Sequence, residues 1–249
     1  MTVRQGGLTV DWLGYATARI EWPEGTVAYT DPGRYGVLTD EWTPGAFDTA
    51  AAHPAARDYR TEDADLVVVT HDHHYDPDGI ERVAGSDATV VVYEAVDAAN
   101  ISRDVAPVNE LDFDVVRVGY GDALTAAGVD VDVIPAETVP EEPGATSSHP
   151  RGFGCGFVLT RGGRSAFWPG DTDPLDAHEA LAPDVFLPPI SAGITMTESE
   201  AATLAAALAP DLVVPIHYNT FAGLAADEDA FGAAVAQRGI PVAVDSRTN

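Results

Sequence analysis

An α/β fold with a two-sheet core and helices on the outside is what this 249-residue sequence predicts, and three observations predict it. Short apolar runs come first, at hairpin spacing; further runs then alternate with helical stretches; and nothing repeats at the period of a solenoid or reads as a linker between domains. The whole of residues 1–249 is therefore expected to form one domain.

In order along the chain, Leu8–Leu13, Thr17–Trp22 and Thr26–Thr30 read as three strands, with Glu24-Gly25 as a turn and Asp31-Pro32-Gly33 ending the third. Residues 31–62 form a long stretch rich in Pro, Gly and Ala, with Trp42 and Phe47, which suits a lid over a site. The apolar, β-branched run Leu66–Val69 is a buried strand, and Asp76–Val83 a short helix with acids in its first turn. Ala88–Tyr93 continues as a strand, and Glu94–Ile101 as a helix. Leu111–Val118, Ala123–Thr125 and Val129–Ile134 alternate like a half-exposed sheet. A second long loop, 135–154, precedes Cys155–Thr160 and Arg164–Trp168, which Gly162-Gly163 joins as a hairpin. Val185–Leu187 is a short strand. Thr197-Glu-Ser-Glu200 is a capping box that opens a helix running to Ala209. Leu212–Ile216, a helix over Asp227–Gln237 and a strand over Ile240–Val244 complete the order.

The surface charge is unusual. Forty acidic residues stand against 13 basic ones, a formal net of −27, and every basic residue is Arg. The acids are spread along the chain, so the charge belongs to the whole surface and not to a tail. Such a surface repels itself in dilute buffer, whereas at molar salt the screening length falls to about 3 Å. The composition resembles that of haloarchaeal proteins and fits a salt-rich cytoplasm. With no basic stripe to displace counterions, binding to nucleic acid is disfavoured. The single cysteine, Cys155, excludes an internal disulfide. The N-terminal residues carry no apolar leader core, and no run approaches the length of a membrane span; a cytoplasmic location is the expectation.

The chemistry concentrates where the Leu66–Val69 strand ends. His71-Asp72-His73-His74-Tyr75-Asp76 packs three imidazoles and two carboxylates into six residues. A His-X-His pair at a strand end can aim two nitrogens at one point, which a zinc-class ion requires of its first ligands. His149, Asp171 and His217 likewise lie just past strands or in the loops beside them, so His71, His73, Asp76, His149, Asp171 and His217 form the expected metal set. His53 and His178 are read as surface residues.

These residues carry a resemblance. Trp12-Leu-Gly14, Asp31-Pro32, Thr70-His71-Asp72-His73, His149 with Gly152-Phe153-Gly154, Gly170-Asp171-Thr172, Thr195-Met196 and Pro215-Ile216-His217-Tyr218-Asn219-Thr220-Phe221 resemble the metallo-β-lactamase superfamily. Within it, the chain is similar to the small single-domain hydrolases of the L-ascorbate-phosphate lactonase type. The resemblance covers nearly the whole chain. It implies a four-layered αβ/βα sandwich with metals at one edge between the sheets. His71, His73 and His149 would then hold the first metal, and Asp171 would bridge to a second held also by His217.

The chain departs from the family pattern His-X-His-X-Asp-His, because Tyr75 and Asp76 stand where Asp and His belong. Three arrangements accommodate this: Asp76 replaces the usual His as a ligand, a bulge returns it to the usual Asp role, or Tyr75 removes the second site. The first is favoured, since a carboxylate is an ordinary ligand for such ions. Tyr15 also stands where these hydrolases commonly place His.

The chemistry implied is hydrolysis of a small ester, lactone or phosphodiester. A bound metal lowers the pKa of water from 15.7 towards ~7 and polarises the scissile oxygen. Asp171 would position the hydroxide, with Asp72 and His74 as further catalytic or ligand-orienting groups. Tyr218 and Asn219 are read as substrate contacts or as polar residues packed beside a crowded site. Arg151 is placed either on a phosphate or carboxylate of the substrate or, preferably, in a salt bridge to a nearby acid. Zn is the expected cofactor, with Mn or Fe accepted by the same donors and one or two ions per chain. A nuclease of the same fold, a di-iron redox or sensor protein and a degenerate scaffold are the competing readings. Neither the substrate nor the oligomeric state is legible.

Overall fold

The computed structural model of the chain describes residues 1–39, 58–140 and 146–245. Its first sheet follows the chain strand by strand: β1 (Thr2–Gln5), β2 (Leu8–Gly14), β3 (Thr17–Glu21), β4 (Val27–Thr30), β5 (Ala64–Val69), β6 (Ala84–Tyr93) and β7 (Asp114–Val118). Strands β1 to β4 pair antiparallel and β4 to β7 parallel. Helix α1 (Tyr35–Leu38) follows β4, and α2 (Pro77–Val83) crosses over between β5 and β6. The second sheet has the order β13-β12-β11-β10-β9-β8. It comprises β8 (Ala123–Ala126), β9 (Val129–Ala136), β10 (Gly154–Arg161), β11 (Arg164–Trp168), β12 (Val185–Phe186) and β13 (Leu212–Val213). Helices α3 (Asp176–Glu179), α4 (Glu198–Leu208) and α5 (Glu228–Gln237) belong to this half. Two mixed sheets flanked by helices make the αβ/βα sandwich of the metallo-β-lactamase fold.

The residue patterns explain the layering. β4 and the Val67–Val69 stretch of β5 are buried along their length, as parallel strands covered on both faces must be. β9 alternates buried Val with exposed Asp, one face in and one face out. The sheets are tied to each other by Trp22 Nε1 donating to the Arg164 carbonyl at 3.1 Å and by Cys155 N donating to the Thr70 carbonyl at 3.2 Å. Thr197 caps α4 as expected: its side chain accepts from Glu200 N, and Glu200 returns the bond.

One strand lay outside the expectations, and three expectations need correction. The strand β1 was not anticipated; it is an edge strand whose side chains are exposed or half-buried, so it lacks the apolar signal. The helix expected over Glu94–Ile101 is a single 3₁₀ turn, Ala98–Asn100, because Asp72 takes the Asp97 N–H and the Asn100 side chain. The strand expected over Ile240–Val244 is one bridge, Val213 to Val242. His178 is not a surface residue: it is fully buried, its Nε2 lies 2.9 Å from the Pro135 carbonyl, and its ring packs on Phe167. His53, Trp42, Phe47 and most of the expected lid lie outside the described residues.

Candidate metal centre

The loops after β4, β5, β11 and β13, joined by the β9–β10 loop, meet at one rim. Asp171 is the hub. Its Oδ2 lies 3.3 Å from His149 Nε2, 3.4 Å from His217 Nε2, 3.6 Å from His71 Nε2 and 3.7 Å from His74 Nε2. Each imidazole is turned by its other nitrogen. His71 Nδ1 faces Thr70 Oγ1 at 2.9 Å, His149 Nδ1 faces Ser148 Oγ at 3.0 Å, and His217 Nδ1 faces Ser191 Oγ at 3.0 Å. His74 Nδ1 faces Asp31 Oδ2 at 3.0 Å. Fixing Nδ1 in this way points Nε2 inward, the arrangement that orients metal-ligating histidines. His73, exposed, completes the rim with its Nδ1 3.2 Å from His149 Nε2.

Asp31 organises the floor. One oxygen accepts from Thr70 N and the other from Thr70 Oγ1 and Trp168 Nε1, at 2.8, 2.8 and 2.6 Å. Backbone approach is equally tight. At Gly170 (φ +71°) a Cβ would come within 2.2 Å of the Cys155 carbonyl, so only glycine lets the chain deliver Asp171 from the end of β11. Tyr15, Asp31, Arg34, His217 and Asn219 all hold positive φ, between 40° and 58°. Each such residue costs about 1–2 kcal/mol, and their clustering here marks a rim whose surroundings over-determine it.

Burial sets the electrostatics. It is the largest cause that lowers every imidazole of the rim: His149 and His217 to about 3, and His71 and His74 well below the usual histidine range. Mutual repulsion among the rings adds to this. Burial also pushes the Asp171 carboxyl well up and the Asp31 carboxyl to about 7. The rings are therefore neutral, with lone pairs converging on one another. The Nε2 atoms of His71, His74 and His217 and the Oδ1 of Asp171 are buried with no hydrogen-bond partner. Leaving such atoms unsatisfied costs about 1–3 kcal/mol each, unless a cation takes them. Among the described residues, two sets of donor atoms each lie within 4.8 Å of one another: His71, His73 and His149, and His71, His74 and Asp171. The donor chemistry and the orphaned atoms fit a divalent, borderline-soft ion.

Several expected site residues are occupied elsewhere. Asp76 does not join the donor groups among the described residues. It precedes α2, accepts from Tyr35 N at 2.8 Å and faces Arg103 at 3.8 Å. The ring that does reach under the rim is His74, two residues earlier, carried there by the 3₁₀ turn Asp72–His74. Asp72 points away, holding Asp97 N and Asn100 Nδ2. Arg151 is exposed and pairs with Glu137 at 3.3 Å, as the preferred alternative had it. Tyr218 is buried and stacks on Trp12 at 4.4 Å. Asn219 ties the following loop together through Ala226 and Glu228. None of these three lines the cavity over the rim.

That cavity, about 390 Å³, is lined by Tyr15, Arg34, Ser102, Ile194 and Leu224 together with rim residues. Tyr15 packs between His74 and His217, both rings 4.9 Å away. The roles of Asp31, Ser191 and Arg34 escaped the sequence reading. Asp31-Pro32 was visible as a motif, but a lone Asp in a loop says nothing of which ring it will hold.

The comparisons agree with this architecture. The model of the β-lactamase superfamily domain matches residues 9–217. A UPF0173 metal-dependent hydrolase of Thermococcus kodakarensis is 32% identical over 213 residues, covering 83% of this chain and 88% of its own. Another from Methanopyrus kandleri is 28% identical and covers 95% of both chains. Among solved structures, Igni18, a metallo hydrolase from the hyperthermophilic archaeon Ignicoccus hospitalis, superposes with a TM-score of 0.67 at 22% identity, covering 97% of this chain and 96% of its own. The chain belongs to the metallo-β-lactamase superfamily and, within it, to the UPF0173 family of metal-dependent hydrolases.

Proposed function

We propose that this single-domain protein hydrolyses a small ester, lactone or phosphodiester at a centre of two divalent ions, zinc being the best match to the donors and manganese or iron the alternatives. The observation that carries the reading is the ring of neutral, inward-facing Nε2 atoms around Asp171 Oδ2. His71, His73 and His149 would hold one ion. His74 and His217 would hold the other, with Asp171 shared between them. Ions bound there supply Lewis acidity towards a carbonyl or phosphoryl oxygen and acidify water to a pKa of ~7.

The protein's own residues do the rest. Asp171, whose Oδ2 lies within 3.7 Å of four imidazole nitrogens, would fix the position of the attacking water relative to the rim. Asp31, Thr70, Ser148 and Ser191 hold the ring orientations, so the donors need no reorganisation. The cavity of about 390 Å³ has room for a small molecule, and Ile194 and Leu224 give it an apolar wall. A net charge of −27 weighs against a nucleic-acid substrate and in favour of a salt-rich cytoplasm as the working environment. Among the described residues no helix is long and apolar enough to cross a membrane.

Chromogenic ester, lactone and phosphodiester substrates, assayed on protein purified in high salt with its metal content measured, test this. Turnover in at least one class, lost in Asp171→Ala, supports it. Full metal loading with no turnover in any class contradicts it.

A further inference from the structure

A second cavity, about 380 Å³, opens beside the one over the rim, and the two share Ser148 and Ile194 as lining residues. Six of its side chains carry hydroxyls: Thr138, Thr146, Ser147, Ser148, Thr195 and Thr197. Asp173 and Glu200 add two carboxylates, and none of its lining residues is basic. Part of this wall is built onto a rim histidine. The His149 N–H is shared between Thr138 Oγ1 at 3.2 Å and Ser147 Oγ at 3.1 Å, and Ser148 Oγ faces His149 Nδ1 at 3.0 Å. Thr138 and Ser147 bond each other at 2.7 Å, and Thr197 Oγ1 donates to Glu200 at 2.8 Å. A hydroxyl offers one donor and two acceptor sites. Ser147, with two partners, keeps one site, and the Thr146 hydroxyl bonds no other group among the described residues.

We propose that this second cavity is a subsite for an uncharged, hydroxylated alcohol portion of the substrate, whose scissile bond lies at the rim. This rests on the hydrolytic reading of that rim. Two carboxylates with no basic residue to offset them disfavour a phosphate or a carboxylate here. An apolar group would strip water from hydroxyls and carboxylates and give them no partner in return. A substrate hydroxyl meets both requirements, because it donates to a carboxylate or hydroxyl oxygen and accepts from a Ser or Thr hydroxyl. Ser148 belongs to both cavities and faces His149 Nδ1, so a substrate that spans them passes the residue that turns a rim imidazole. Thr146, outside that network, is the side chain whose removal tests the subsite with least disturbance to the rim.

The test compares Thr146→Val and Thr146→Ser with the native protein, all metal-loaded and at one salt concentration. Glycerol 1-acetate and propyl acetate share an acetyl group and a three-carbon alcohol and differ only in two hydroxyls. Acid release in a pH-stat gives kcat/KM for each. The native protein should prefer the glycerol ester by about tenfold or more, the effect of two hydrogen bonds. That preference should fall by about three- to tenfold in Thr146→Val, which loses one of them, and return in Thr146→Ser. A purely structural role for Thr146 lowers both esters together and leaves the preference intact, which overturns the proposal. Equal use of the two esters by the native protein, or a preference for acetylcholine over the glycerol ester, also overturns it. A second readout needs no turnover. Protein loaded with cobalt is titrated with 1-thioglycerol and with 1-propanethiol, whose thiolates ligate such an ion and change its visible absorption. Tighter binding of 1-thioglycerol by about tenfold, reduced in Thr146→Val, supports the subsite even where neither ester turns over. Equal affinities for the two thiols overturn the subsite and leave the hydrolase reading standing, whereas failure to take up cobalt overturns both.

Discussion

His74 Nδ1 and Asp31 Oδ2 lie 3.0 Å apart, both fully buried, and this contact turns the His74 Nε2 to within 3.7 Å of Asp171 Oδ2. Asp31 therefore acts on the metal centre through a ring it does not share with solvent. Asp31→Asn should reduce metal affinity by 10- to 100-fold, roughly the cost of losing such a supporting group. Competition with a chromogenic chelator measures it, and unaltered affinity would remove Asp31 from the account.

The assignment of His74 in place of Asp76 gives a paired prediction. His74→Ala should lose about one ion per chain, whereas Asp76→Ala should keep the metal stoichiometry of the native protein. Asp76→Ala should instead unfold at lower temperature, because Tyr35 N loses its acceptor and Arg103 its neighbour. Metal analysis of the two variants decides between them; the reverse pattern restores Asp76 as the ligand.

Gly170→Ala should destabilise the fold by about 2–4 kcal/mol, from the clash with the Cys155 carbonyl and the unfavourable φ of +71°. It should also weaken metal binding, since Asp171 is the next residue. Denaturant unfolding tests the first effect, and a loss under about 0.5 kcal/mol would show that the close approach is not rigid.

His178 provides a pH dependence away from the rim. Burial lowers its pKa below the usual histidine value. The unfolded chain then binds the proton more readily, so the contribution of neutral His178 is complete above about pH 6.5 and is lost as the pH falls towards its folded-state value. In the metal-free protein, the stability difference between native and His178→Gln should shrink below pH 6.5, by at most about 1.4 kcal/mol per pH unit. A difference that stays constant with pH would mean His178 is protonated in place.

Most strands of the two-sheet core and most residues of the rim were legible in the sequence, and what was not has physical causes. The His71–His73 pair, His149, Asp171 and His217 were visible because each ends or adjoins an apolar run, and strand ends converge. Asp76 was read as a ligand because the family spacing invited one there; only the 3₁₀ turn over Asp72–His74 shows that the His74 ring, two residues earlier, reaches the rim. Tyr218 and Asn219, beside a ligand in sequence, are drawn into packing and loop closure. Arg34 gave no signal at all: its place over Tyr15 and Phe221 joins segments some 20 and 190 residues away in the chain.

The acidic surface predicts a thermal midpoint that rises steeply with KCl between dilute buffer and molar salt, as screening removes self-repulsion from a net charge of −27. A midpoint indifferent to salt would contradict this.

The central claim is that neutral imidazoles and one carboxylate converge to hold divalent ions, and elemental analysis of protein purified in high salt tests it most directly. The account predicts about two equivalents of zinc, manganese or iron per native chain and a loss of most of them in Asp171→Ala. A native, folded protein that takes up no transition metal at all would contradict it.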